Sequence, residues 1–198
     1  MRMFKESITK EELVALPLRR FEGKIKVVDT KADIKEAVKK LEKEQIIGFD
    51  TETRPSFKKG MVNQVALLQL STPKKAFLFR LNKTGLPTSV VSLLANPHIV
   101  KPGVAIHDDI KGLQQLLHFE PGGFIELQDW AKERGIQNFS LKKLCAIVCG
   151  YRISKGQQLS NWEAEKLTTA QQVYAATDAW AAAEIYRNFL INDAEELC

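Results

Sequence analysis

With 198 residues, 44% of them hydrophobic and 27% charged, the chain has the make-up of one folded domain with a sizeable core, which excludes global disorder. Its formal net charge of +5 is mild; it is compatible with a polyanionic partner and does not demand one. Three cysteines make no disulfide framework, and with Cys145 and Cys149 on one helical stretch and Cys198 terminal, a zinc site lacks its second ligand pair.

The N-terminal run Met1 to Ser7 has no apolar core of the kind a signal peptide carries. No apolar stretch approaches the roughly 18 residues of a membrane span. A reduced, cytoplasmic protein without membrane contact is expected. Residues 1–23 read as a lead-in segment with one short helix capped by Thr9, Glu11 and Glu12 lying in its first turn. Lys24 to Val28 alternates like a strand. A helix over 31–44 follows, with Ile34, Ala37, Val38 and Leu41 on one stripe. Ile46–Thr51, Val65–Ser71 and Ala76–Leu81 read as strands, the last two joined by a Thr-Pro-Lys-Lys turn; their close spacing predicts antiparallel neighbours.

The pattern then changes. Thr88–Ala95 reads as helix, Ile99–Ile106 as strand, Asp109–Leu117 as helix and Phe124–Leu127 as a short strand leading to Asp129 and another helix. Ser140 opens a helix through Val148. Thr168 opens the last one, ending near Leu190, with Gln171 completing a capping box. Alternating helix and strand predicts parallel additions to the sheet. The expected fold class is α/β: a mixed sheet, three strands antiparallel and then parallel additions, flanked by helices. The domain is placed at 24–191 and an acidic tail at 192–198; the tip 54–63, the loop 151–165 and the tail are the expected flexible parts.

Three segments carry carboxylates toward the interior of such a fold. Asp50 and Glu52 follow the apolar run Ile46 to Phe49. Being two apart on a strand, they share one face, with Thr51 turned away. Asp109 follows the run Val100 to Ile106 and is adjacent to Asp108, so one of the two must point elsewhere. Tyr174 and Asp178, four apart on a helix, share a face. Alanines at 175, 176, 179 and 181–183 let that helix lie close to the sheet, so Asp178 faces it, toward Asp50. Each piece alone has a plain structural reading: a strand end, an N-cap, a hydrogen-bonded pair. Together they gather acids that burial penalises unless they are paired or bound to a metal. No Lys or Arg within the segments neutralises them all, so divalent metal is the expected solution.

Asp50-Thr-Glu52, then Gly103-Val-Ala-Ile-His-Asp-Asp109, then Tyr174-Ala-Ala-Thr-Asp178 resemble the three exonuclease motifs of the DEDD superfamily. The tyrosine four before the last aspartate resembles the DEDDy branch, which includes ribonuclease D and the exonuclease domain of the Werner helicase. Gly48 to Glu52, Val65 to Leu70, Ser160-Asn-Trp162 and Leu167 through Ala179 are especially similar to the Werner-type domain. The likeness spans about residues 25–190, with all four carboxylates and the tyrosine present. His98, His107 and His118 come too early for the histidine branch.

The resemblance implies a ribonuclease H-like fold and 3'-5' exonuclease activity on DNA or RNA, with two Mg²⁺ or Mn²⁺ ions and release of nucleoside monophosphates. It implies Asp50 bridging both ions, Glu52 and Asp178 completing the site whose ion activates water, Asp109 holding the second ion, and Tyr174 orienting the water. Spacing from Gly103 in the family favours Asp109 over Asp108. The expected partner is a single-stranded or 3'-ended nucleic acid. Thr51, Arg54, Lys58, Lys59 and Trp162 are candidates to contact it, Trp162 reading more readily as a core-closing anchor under its loop, and Lys155 lies on the same loop as Trp162. The choice between DNA and RNA stays open, with the Werner-like stretches tilting it toward DNA repair or processing. A non-catalytic nucleic-acid-binding module of the same fold, and a phosphohydrolase of small nucleotides, are the other readings.

Overall fold

In the computed structural model, which describes residues 4–55 and 63–196, a four-stranded sheet runs in the order β1 (Lys24–Val28), β4 (Lys75–Arg80), β3 (Val65–Ser71), β2 (Gly48–Thr53). β2, β3 and β4 are antiparallel neighbours, as their spacing predicts. The turn joining β3 to β4 is closed by Thr72, whose hydroxyl accepts from the amides of Lys74 and Lys75. β1 lies parallel to β4 at the outer edge, with Lys24 and Lys26 pointing to solvent.

Parallel additions therefore flank the hairpins on both sides, where the sequence placed them only later in the chain. The second addition is a pair of short parallel strands, β5 (Lys101–Gly103) and β6 (Phe124–Glu126). It joins the β2 side through one parallel bridge between Ile46 and Val100. Lys101 is wholly buried in β5, where its ammonium donates to the carbonyls of Asn96 (2.9 Å) and Ile99 (2.6 Å). Burial pushes its pKa down to about 8.

Helices cover both faces. α1 (Lys10–Ala15) begins at the Thr9–Glu12 capping box. α2 (Lys31–Leu41) buries the expected stripe of Ile34, Ala37, Val38 and Leu41, each large side chain contributing about 1.5–3 kcal/mol. With α3 (Leu81–Thr84), α4 (Thr88–Ala95) and α5 (Ile106–Leu116), α2 closes a core over Phe49, Leu68, Leu70, Phe77 and Phe79. α6 (Leu127–Glu133), α7 (Leu141–Leu144, continuing as a π-turn over Cys145–Cys149) and α8 (Thr169–Glu196) build the other side. Among the described residues no helix is long and apolar enough to cross a membrane.

Two boundaries differ from the sequence reading. The strand expected through Ile106 stops at Gly103, because Ala105 turns left-handed at φ 59° and Ile106 starts α5. The helix expected to end near Leu190 runs on to Glu196. Its last turns are held by the Arg134 guanidinium, which clamps both oxygens of Asp193 at 2.7 and 2.5 Å, and by the buried Asn192. That partner is distant in sequence and invisible to periodicity.

α8 starts at a capping box: the Gln171 amide donates to the Thr168 hydroxyl, and the Thr168 amide to Gln171 Oε1. It lies directly on β2. Ala175, Ala176, Ala179, Ala182 and Ala183 are fully buried, and a Cβ placed on Gly48 would stand 1.8 Å from the carbonyl oxygen of Ala179. A backbone atom cannot yield as a flexible side chain can. Gly48→Ala is therefore expected to destabilise the protein by about 3 kcal/mol, read as a lowered denaturation midpoint. An unchanged midpoint would mean that α8 does not rest on the β2 backbone.

Candidate active site

β2 alternates between the two faces of the sheet. Phe49 enters the core under α2, α4 and α5, while Asp50 and Glu52 turn to the opposite face, where α8 presents Tyr174 and Asp178. Asp50, Glu52 and Asp178 each offer a carboxylate oxygen, and these lie within 4.8 Å of one another. They line a cavity of about 270 Å³ whose wall also carries Lys142 and Lys155.

Asp109 joins from α5. It stands outside the three-carboxylate group, and its Oδ1 accepts from the Thr51 hydroxyl. Thr51, a candidate substrate contact by sequence, is buried and lines the cavity with its hydroxyl committed to Asp109. Asp108 points to solvent and pairs with Lys111 at 3.3 Å, which leaves Asp109 as the inward member of the doublet.

Trp162, a candidate substrate contact that also reads as a core-closing anchor, is fully buried, its ring 6.0 Å from that of Tyr174. Arg54 is exposed and pairs with Glu163 at 3.3 Å, tying the end of β2 to the loop before α8. Lys58 and Lys59 lie outside the described residues.

The electrostatics follow from crowding acids in a poorly solvated space. Burial and then the charges of Asp178, Glu52 and Asp109 hold the Asp50 carboxyl well above its ordinary range. Burial, Asp178 and Asp109 push Glu52 up to about 9. Burial raises Asp178 to about 7 against the opposing pull of the Tyr174 hydroxyl and Lys155. Burial raises Asp109 to about 6, and the Thr51 hydrogen bond limits that rise. The Tyr174 phenol is held above its usual range by burial and by Asp178. One Asp178 oxygen, Oδ1, is buried without a hydrogen-bond partner. An all-oxygen cluster with an orphaned, buried acceptor has the donor chemistry of a hard divalent cation site, so these residues could hold such an ion.

Glu126, which the sequence reading passed over, sets the start of α5. Its two oxygens accept from the amides of Ala105 (3.0 Å) and Ile106 (2.8 Å), and Oε1 also accepts from Gln128 (3.0 Å). The carboxylate thus fixes the left-handed Ala105 and the helix N-terminus less than one turn before Asp109. The available signal was an acid between a short strand and a helix, the place of a capping side chain.

Residues 25–191 match the family model described as 3'-5' exonuclease. The chain belongs to the 3'-5' exonuclease family. The mouse bifunctional 3'-5' exonuclease/ATP-dependent helicase WRN is 34% identical over 167 residues, covering 76% of this chain and 12% of that protein. A 3'-5' exonuclease of Arabidopsis thaliana is 30% identical over 169 residues, covering 82% of this chain and 56% of its own length. The chain thus spans less than two thirds of either relative. The crystal structure of the Aedes aegypti Nibbler EXO domain superposes with a TM-score of 0.80 at 23% identity, covering 91% of this chain and 94% of that one. The fold of this exonuclease-family chain is ribonuclease H-like.

The raised carboxyls set the sign of the pH dependence. Unfolded carboxyls titrate near 4, so between about pH 4 and 9 the folded, metal-free protein binds more protons than the unfolded chain, and stability falls as pH rises through about 6, 7 and 9 for Asp109, Asp178 and Glu52. In EDTA the melting temperature is expected to decline across that window, and added Mg²⁺ or Mn²⁺ to restore it most at the alkaline end. A flat profile, or no response to the ions, would show that the acids do not share a site. Glu126→Ala is expected to cost about 1–2 kcal/mol of stability and to lower activity, with Glu126→Gln recovering part of both. Equal loss in the two variants would deny the capping role.

Proposed function

We propose that the protein removes nucleotides from the 3' end of a DNA or RNA strand, hydrolysing each phosphodiester bond and releasing nucleoside monophosphates. The observation that carries this reading is the convergence of Asp50, Glu52 and Asp178, from β2 and α8, on one small cavity beside Tyr174. Its volume of about 270 Å³ is at the low end for ligand pockets and suits one terminal nucleotide. Lys142 and Lys155 on the wall give a phosphate a cationic approach to a site whose floor is acidic.

Asp50, Glu52 and Asp178 would hold one Mg²⁺ or Mn²⁺, and Asp109 with Asp50 a second. Such a pair supplies charge neutralisation at the phosphate and a water acidic enough to attack at neutral pH. The chain's own residues do the placing. Thr51 orients Asp109 by its hydrogen bond, and Glu126 holds the helix that carries it. Trp162 backs the Tyr174 ring. The Tyr174 phenol, whose pKa burial and Asp178 hold above its usual range, would orient the attacking water through its hydroxyl. Lys155 faces Asp178 and would offer a counter-charge to the phosphate under attack.

Single-stranded DNA, recessed duplex DNA and RNA, each 5'-labelled, are expected to shorten from the 3' end with Mg²⁺ or Mn²⁺ and to stay intact in EDTA. Asp109→Ala is expected to abolish turnover while leaving strand binding in place. Tyr174→Phe is expected to lower kcat about 10²-fold with KM little changed, the scale of a lost positioning contact. Binding without shortening under either ion would replace the nuclease with a binding module, and near-native turnover by Asp109→Ala would remove that residue from the site.

A further inference from the structure

A second and larger hollow opens on the far side of Tyr174. Its volume is about 1060 Å³ against 270 Å³ for the acidic cavity, and the two share Tyr174 and Ser154 as common wall. One side is α8, through Val173, Thr177 and Trp180; the other is the strap of residues 17–23 that leads into β1. The strap is fixed by its backbone. The Arg19 amide donates to the Arg152 carbonyl (2.9 Å), the Arg152 amide to the Pro17 carbonyl (3.0 Å) and the Phe21 amide to the Thr177 hydroxyl (3.0 Å). Phe21 is buried beneath it, while Leu18, Arg19 and Arg20 stay at the surface. Arg19 and Arg20 are exposed and line the hollow, and neither forms an ion pair among the described residues. Arg19 rests over the Tyr151 ring at 5.3 Å. Leu18, 55% exposed, and Trp180 add apolar surface.

We infer that this groove holds the nucleotides upstream of the bond being cut, as single-stranded DNA or RNA, with Arg19 and Arg20 on its phosphates. The inference rests on the nuclease reading and extends that site to a longer substrate. Three observations support it. The groove adjoins the acidic cavity across Tyr174 and Ser154, which line both, so a strand whose end lies against Asp50 and Asp178 has this groove as its neighbour. The cations form a series, Lys142 and Lys155 at the cavity and Arg19 and Arg20 beyond, against one acid, Glu22, in the groove lining. Exposed cations beside apolar surface are what an unpaired strand requires, with phosphates neutralised and base faces covered. A groove of this volume, at the top of the range for ligand pockets, exceeds the needs of a single nucleotide.

The test compares wild type, Arg19→Gln/Arg20→Gln and Arg20→Gln alone; the single variant spares the Arg19 contact with Tyr151. Binding of labelled DNA and RNA dodecamers and of dinucleotides is measured by anisotropy in EDTA over a salt series, and turnover of the same substrates with Mg²⁺. The wild type is expected to favour dodecamers strongly. The double variant is expected to bind them about tenfold more weakly and to raise KM similarly with kcat unchanged. Dinucleotide turnover should not move, and the slope of log affinity against log salt should fall by about 1.4, two single-strand phosphates' worth. The single variant should show about half the change in slope. Loss with only one of DNA and RNA would assign the groove to that strand. Unchanged dodecamer binding, KM and salt slope in an active double variant would overturn the groove alone, as expected if a protein segment occupied it. Dodecamer binding that weakens in the double variant while the wild type cuts nothing would uphold the groove and remove the nuclease reading.

Discussion

The closeness of α8 to β2 is the constraint from which the rest of the site follows. Gly48 has no side chain because the Ala179 carbonyl occupies that space, and the alanines along α8 keep the helix at that distance. Only then can short side chains on the two elements, Asp50 and Asp178, reach one another. A larger residue at any of these contacts would lift the helix and widen the cluster. The small residues are thus part of the chemistry, although none of them touches the cavity's charge.

The same closeness makes the cluster electrostatically expensive. Each acid raises the pKa of its neighbours, and burial removes the water that would screen them. The fold concentrates this cost in one pocket and surrounds it with stable packing: the alanine contact on one side, the Phe49 core on the other, and Trp162 behind Tyr174. Opposite charge from cations or from a bound ion relieves the repulsion, so ligation and folding are coupled. Asp109 sits apart, on the other layer, and reaches the site through Thr51. Its alignment therefore depends on how α5 begins, which is the office of Glu126.

Much of this was legible in the chain because it is written in local periods. The two-residue repeat puts Asp50 and Glu52 on one face, and the four-residue repeat puts Tyr174 beside Asp178. The antiparallel run of β2, β3 and β4 follows from short connections. What escaped depends on tertiary partners. The left-handed Ala105 is held by Glu126, twenty-one residues away, so nothing local marks the early end of β5. The extension of α8 depends on Arg134 gripping Asp193, while local composition suggested an acidic tail. Trp162 reads more readily as a buried anchor than as a platform beside the site, but only its tertiary neighbours show the burial. The strap of residues 17–23 looked like a lead-in because its value lies in what it runs beside.

The outer margin of the sheet has its own consequence. β1 leaves one row of backbone donors and acceptors unpaired, an invitation for a second molecule to add a strand. Lys24 and Lys26 stand exposed on one face of that strand, Lys26 paired with Asp33 at 2.6 Å, so a second strand docking there would have to pack beside these charges. Charged side chains on an edge strand are a guard against strand addition, so this margin's resistance to fibrous self-association depends on the lysines keeping their charge.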